Sequence, residues 1–223
     1  TEVLNLEVET LTFGIGATRV ITERLTAEAG LSYSSASLTS PAFNFDFQTL
    51  ALPISLKWDR RDTILDPTNG SYLKIGATPF LGFGFTDSGS QLKADARIYR
   101  GFGADDRIVL AGRLQLGTVV GTSLLNTLPD YLFYSGGGGT VRGHPFQSLG
   151  VTSALPGGGS IQTGGRSFAG LSGELRATVS DRLGAVVFAD AGYVSDGEWF
   201  GGSGAWQTGA GLGLRYDTGF GPV

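Results

Sequence analysis

The stretch Gly136-Gly-Gly-Gly-Thr-Val-Arg-Gly-His-Pro-Phe-Gln-Ser-Leu-Gly150 places one cation, Arg142, among flexible glycines. Holding a charge on such a segment costs conformational entropy, which only a fixed receiver can offset. A guanidinium presents a planar fork of donors, and a carboxylate bound bidentately is its strongest side-chain partner. Asp190 and Glu174 are the candidate receivers. Asp190 alternates with Val186, Phe188 and Gly192 on one face of a strand-like segment, and Glu174 occupies the matching face of the segment before it. The residues alone leave a second arrangement open: Arg142 is a solvated loop charge, and Asp190 and Glu174 pair with Arg176 or Arg215.

Other chemistries find little support. A hydrolase would need His144, the single histidine, as its base; Ser148 is only a loop neighbour, and no acid is placed to orient the imidazole. The chain has no cysteine and its carboxylates are scattered, so neither a metal site nor a cofactor is expected. Gly-x-Gly patterns at 82–84 and 209–213 fall inside strand-like segments, without the strand-to-helix context of a phosphate loop. A net charge of −4 with no Lys/Arg cluster argues against nucleic acid as a partner. The reading is of a protein that is not an enzyme.

The segments that must position Arg142 and its receivers share one pattern. Leu50, Leu52, Ile54, Leu56 and Trp58 alternate with Ala51, Pro53, Ser55 and Lys57, which is the period of a strand. The same alternation runs through Leu11–Thr18, Leu25–Ser34, Leu73–Gly84, Leu92–Tyr99, Ile108–Gln115, Leu171–Val179, Val186–Tyr193 and Trp206–Tyr216. These make roughly nine strands of about ten residues, the length of a tilted strand that crosses a bilayer, against about five or six in ordinary globular sheets. Opposite the greasy face stand charges of both signs and many of the 37 glycines, which suits a crowded wet lumen. Tyr33, Trp58, Tyr193, Trp206 and Tyr216 near strand ends fit interfacial aromatic girdles. The fold class is therefore all-β, an antiparallel transmembrane β-barrel.

Short connections at 22–24, 103–106 and 181–182 alternate with long ones expected from Ser35 to about Phe47 and from about 120 to 165. Outer-membrane barrels put short turns on the periplasmic side and long loops outside. The 59–70 connection reads as a structural turn. Asp59, Asp62 and Asp66 accept local backbone hydrogen bonds, Pro67 fixes φ, and Gly70 tolerates positive φ.

At this point the motifs resemble a known family. Val141-Arg142-Gly143, followed by Phe146-Gln-Ser-Leu-Gly150, is similar to the sixth extracellular loop of the Omp85 superfamily, and Phe188-Ala-Asp190-Ala-Gly192 to its Phe-x-Asp-x-Gly strand. Trp58-Asp-Arg-Arg-Asp62 with Leu65-Asp-Pro-Thr-Asn-Gly70 resembles its periplasmic turn, and the continuation through Ser148-Leu-Gly150 and Gly164-Gly-Arg-Ser167 is closest to the translocation-and-assembly (TamA-like) branch. The resemblance implies that 1–223 is the C-terminal part of a barrel of about sixteen strands, with the 120–165 loop folded inward. It also implies a lock of Val141, Arg142 and Gly143 onto Asp190 and Glu174, with His144 and Phe146 packing the loop. His144 departs from the aromatic residue usual at that position. The implied role is assembly, insertion or translocation of other outer-membrane proteins, with a two-partner-secretion-type transporter or a passive porin as the alternatives. The implied partners are outer-membrane lipid, unfolded outer-membrane protein clients, and a periplasmic or inner-membrane partner reached through POTRA domains outside this chain. The implied location is the bacterial outer membrane.

Overall fold

The computed structural model describes residues 7–40, 43–154 and 159–218. Its strands are β1 (Glu7–Thr22), β2 (Leu25–Ser40), β3 (Phe43–Ala51), β4 (Ile54–Asp59), β5 (Gly70–Gly84), β6 (Gly89–Phe102), β7 (Ile108–Val120), β8 (Val151–Ala154), β9 (Ser160–Thr163), β10 (Ser167–Thr178), β11 (Leu183–Ser195) and β12 (Gly204–Tyr216). All but β8 and β9 form one sheet of ten strands in the order β1-β2-β3-β5-β6-β7-β10-β11-β12, with β4 between β2 and β5. β3 and β4 are one crossing interrupted at Leu52-Pro53, so the ten strands make nine crossings among the described residues. Proline lacks the N–H that would continue the ladder, yet its carbonyl still accepts from the Gly30 N–H at 2.9 Å. Every pairing is antiparallel, and no described helix is long and apolar enough to cross a membrane.

The face assignment follows the alternation. Phe13, Ile15, Leu31, Leu56, Ile75, Leu114, Leu171, Leu212 and Leu214 all stand exposed on the outer face. The sheet also curls. Asp66, in the turn before β5, bonds Arg215 on β12 at 2.8 Å. Those strands lie five neighbours apart, about 24 Å across a flat sheet. The contact therefore runs as a chord across a concave inner face.

Two expectations need correction. The long connection expected from Ser35 to about Phe47 is instead strand in its described residues, 35–40 and 43–47, with β2 and β3 paired in register up to Ser40↔Phe43. Beyond Tyr33 the polarity inverts: Ser37 bonds Asp46 and Asn44 on the outer face, whereas Ala36 and Phe47 are buried inward. A hairpin that has left the bilayer meets water outside and a packed loop inside, so the greasy stripe changes sides and the segment loses its membrane signature. The inner face is likewise not uniformly polar. In the half nearer the long loop Phe80, Val119, Phe168 and Val194 pack with Phe133 and Val151 of that loop, and the charges lie toward the short turns.

A charge on the outer face should cost far more than one on the inner face. Ile75→Arg is expected to lower unfolding free energy in lipid bilayers by about 2–4 kcal/mol, whereas Thr78→Arg, which faces the lumen, changes it by less than about 1 kcal/mol. Denaturant titration in phospholipid vesicles reads both, and equal costs would refute the face assignment.

Candidate functional site

The described residues of the loop from Gly121 to Arg166 lie on the concave face, and its glycines shape its tip. Gly136 and Gly137 adopt φ of 99° and 91°, a region that side chains with a Cβ avoid. The turn they make lets the Gly137 N–H approach the Val141 and His144 carbonyls at 3.1 and 3.0 Å, and Gly143, with φ 91°, closes the far side. Val141-Arg142-Gly143 is thereby pressed onto the wall. Val141 is 0% exposed. A Cβ on Gly192 of β11 would come within 2.7 Å of its Cγ2, and one on Gly209 of β12 would overlap the Arg142 carbonyl. The wall is bare backbone where the tip docks.

Arg142 is held from several sides. Its Nε and Nη2 donate to Asp190 Oδ2 and Oδ1, each at 2.7 Å, and its backbone N–H donates to the same carboxylate at 3.0 Å. Nη1 donates to Glu174 Oε1 at 2.5 Å, and the guanidinium carbon sits 3.7 Å from the Phe188 ring centroid. The Asp190 side chain is 0% exposed. Register explains the cluster: Asp190 pairs with Ser172 and Phe188 with Glu174, so both acids and the ring point inward from adjacent strands within one rung. The two arrangements left open by the sequence are partly combined. Glu174 also accepts from Arg176 at 2.7 Å, while Arg215 goes elsewhere, to Asp66.

That second partner extends the network. Arg176 reaches Asp66 at 3.4 Å, so charges run from Asp190 through Arg142, Glu174, Arg176 and Asp66 to Arg215. One end is the tip of the 121–166 loop and the other the 59–70 turn. Within that turn Asp62 accepts from the backbone N–H groups of Thr63, Thr68 and Asn69 and from the Thr68 hydroxyl. Burial alone would push its carboxyl up, but the Thr68 hydroxyl and those amides hold it below the usual carboxylate range. Asp59 pairs with Arg61 at 2.7 Å, Pro67 is buried, and Gly70 has φ 111°. Asp66 differs from the other two acids of the turn in spanning the lumen.

His144 lies against β12, its Nε2 3.3 Å from the Thr208 carbonyl. Phe146 does not pack the loop; it is 80% exposed. The Ser148 N–H closes a turn onto the Pro145 carbonyl, and Gln147 has φ 52°, so Phe146 occupies the outer corner, where side chains point away. Sequence reasoning did not single out Asp95, which accepts bidentately from both Arg97 and Arg113. Arg113 also donates to the Gly139 carbonyl at 3.1 Å and so steadies the glycine tract. Their shared inward parity was visible, but their register was not. The charged groups at the tip, Arg142, Asp190 and Glu174, are all paired, an arrangement that holds a loop rather than one that activates a nucleophile. The buried hydroxyls of Ser135 and Thr140 have no hydrogen-bond partner among the described residues.

A family model described as "Omp85 superfamily domain" matches residues 2–223. Among solved structures the fold is similar to BamA from Haemophilus ducreyi lacking POTRA domains 1-3, with TM-score 0.76 and 18% identity over 96% of this chain and 50% of that one. It is also similar to CdiB from Acinetobacter baumannii, with TM-score 0.64 and 15% identity over 96% of this chain and 37% of that one. The chain thus spans about half the length of the first. No curated protein sequence matches it.

Two outcomes follow from the geometry. Gly192→Leu should unseat Val141 and cost about 1–3 kcal/mol through overpacking, with protease cleavage within 136–150 rising in proportion; unchanged protection would contradict the docked tip. The depressed Asp62 carboxyl stabilises the turn fully above the usual carboxylate range, and that stabilisation is lost as pH falls through its lower folded-state value. Protection of the Thr68 and Asn69 amides, the exchange rate taken relative to that of the unstructured peptide at the same pH, should therefore fall on acidification, and in Asp62→Asn it should be low and much less pH-dependent. A wild-type profile as flat as the variant's would refute the assignment.

Proposed function

The chain belongs to the Omp85 superfamily, and from that membership we propose that it forms wall and lumenal loop of a bacterial outer-membrane factor that inserts or translocates other outer-membrane proteins. Residues 1–223 would be the C-terminal part of a barrel of about sixteen strands, with POTRA domains elsewhere in the protein to receive unfolded clients or a periplasmic or inner-membrane partner. The chemistry is mechanical, made of strand pairing, loop position and lipid contact, with no catalytic step. The Gly164-Gly-Arg-Ser167 segment favours the TamA-like branch. There Arg166 donates to the Asp196 carbonyl at 2.7 Å and pairs with Glu198 at 3.1 Å, bracing the loop's exit.

The observation that carries this reading is the grip of Asp190 on Arg142. A fully desolvated carboxylate that takes three bonds from one loop residue gives that residue a single position. Val141, Arg142, Gly143, Asp190 and Glu174 act as a lock that keeps the loop tip against β11 and β12. His144 adds a contact to β12. A passive porin fits less well, because the loop covers the concave face with an apolar seal around Val119, Phe133 and Phe168. A secretion transporter shares the fold of the CdiB neighbour and is separated by the assay below.

Arg142→Ala strips Asp190 of its counter-charge, a loss of about 3–5 kcal/mol for a buried pair. Arg142→Lys cannot restore the bidentate fork. Both should slow insertion of an outer-membrane protein into vesicles at least about tenfold, and the double change with Asp190→Ala should show clear non-additivity. Wild-type insertion by Arg142→Ala sinks the lock. If the wild-type protein fails to insert several unrelated clients but exports one dedicated substrate, the secretion reading replaces assembly.

A further inference from the structure

The outer face carries a feature the lock does not use. Trp58, Leu73, Ala96, Leu114 and Leu171 form one continuous rung across β4, β5, β6, β7 and β10. One rung nearer the short-turn side, the Arg60 N–H bonds the Ser71 carbonyl, Ser71 pairs with Ile98, Ile98 with Gly112, and Gly112 with Gly173. These rungs enclose an outward-open groove of about 570 Å³, walled by Trp58, Leu73, Ile98 and Leu114 and reached by Arg60. Ala96 and Gly112 form its floor.

The glycines here are not required by packing within the chain. A Cβ at Gly112 would meet only Ile98 Cγ2, at 3.4 Å, and one at Gly173 would meet nothing within 4 Å. Neither lies in the left-handed region. On the inner wall, by contrast, Gly192 and Gly209 make room for the loop. An outer wall that leaves an apolar channel open accommodates something from the bilayer.

Charge identifies what. Arg60 and Arg100 both stand exposed on this face, Arg100 beside Leu110 one further rung toward the turns. Neither guanidinium has a carboxylate or hydrogen-bond partner among the described residues, a state shared with Arg19, Arg24, Arg107 and Arg182, whereas the inward-facing or loop-bound Arg61, Arg97, Arg113, Arg142, Arg166, Arg176 and Arg215 are all paired. Sheet spacing puts Arg60 and Arg100 about 12 Å apart at Cα, two strands over and one rung down, so their side chains can converge on one anion. The Ser71 hydroxyl is exposed between them. The acids nearest these rungs do not neutralise the two arginines. Asp62, opposite Asn69 on the rung of Arg100, gives its oxygens to the Thr63, Thr68 and Asn69 amides and the Thr68 hydroxyl. Among the described residues neither it nor Glu23 forms an ion pair with Arg60 or Arg100.

We propose that this groove is a binding site for a glycerophospholipid of the periplasmic leaflet, with its phosphate on Arg60, Arg100 and Ser71 and one acyl chain laid over Ala96 and Gly112. Short turns place the arginines at the periplasmic headgroup level, and Trp58 sits at the same interface. Arginine forks match phosphate, and a cation at the membrane surface strengthens binding of anionic lipid.

Native mass spectrometry of the intact protein in detergent, titrated with dioleoylphosphatidylglycerol, tests the site. One lipid should be retained by the wild type. Arg60→Ala and Arg100→Ala should each lower its affinity about fivefold. Gly112→Leu, with both arginines intact, should lower it comparably by filling the floor. Client insertion by the same variants, measured in parallel, keeps a failure of the lipid site distinct from a failure of the assembly reading. Retention unaffected by all three changes overturns the proposal. So does a response to the arginine changes alone with Gly112→Leu silent, or displacement by millimolar inorganic phosphate, since either reduces the site to a bare anion contact.

Discussion

The structure turns on one buried carboxylate. Asp190 is fully removed from solvent, and an ion in that position is tolerated only with its charge and lone pairs answered. Arg142 answers them with a fork and an amide, both supplied by the same residue. That dual use fixes backbone as well as side chain, so the loop tip has one place to be. Phe188 beneath the guanidinium and Glu174 beside it remove the remaining freedom. Gly192 and Gly209 let the backbone come near enough for the bonds to form.

The grip is not local. Glu174 divides its two oxygens between Arg142 and Arg176, and Asp66 divides one between Arg176 and Arg215. Each acid is shared by two arginines, so moving one changes the balance at the next. The long 121–166 loop and the 59–70 turn are thus ends of one charged path across the concave face. Asp62 serves that path indirectly, since its local bonds shape the turn that lets Asp66 reach out.

How far the sequence disclosed this depends on which physical signal was at stake. Period-two alternation marked all nine crossings and their faces, because a bilayer enforces the pattern over long strands. It failed at Ser35–Phe47, where the hairpin leaves the bilayer and Ala36 and Phe47 face in while Ser37 and Asp46 face out. Parity placed Asp190 and Glu174 inward, but only register brings them to one guanidinium, and register depends on turns and bulges that composition does not specify. Hence Asp95, Arg97 and Arg113 went unnoticed as a cluster. Phe146 misled for a related reason: its aromatic ring suggested packing, whereas the turn at Pro145–Ser148 directs it outward.

Relative magnitudes separate what keeps the loop in the lumen from what aligns its tip. Burying Leu128, Phe133, Val141 and Val151 removes apolar surface worth about 1.5–3 kcal/mol per side chain. A buried ion pair, by comparison, roughly breaks even against an apolar pair of similar volume. Residence of the loop is therefore mainly hydrophobic and is concentrated in the half of the sheet from which the loop springs, where Phe80, Val119, Phe168 and Val194 await it. The ionic cluster contributes alignment. An apolar contact permits sliding, but a bidentate fork with a backbone donor does not. The greasy contact retains the loop, and Arg142 registers it against β11 and β12.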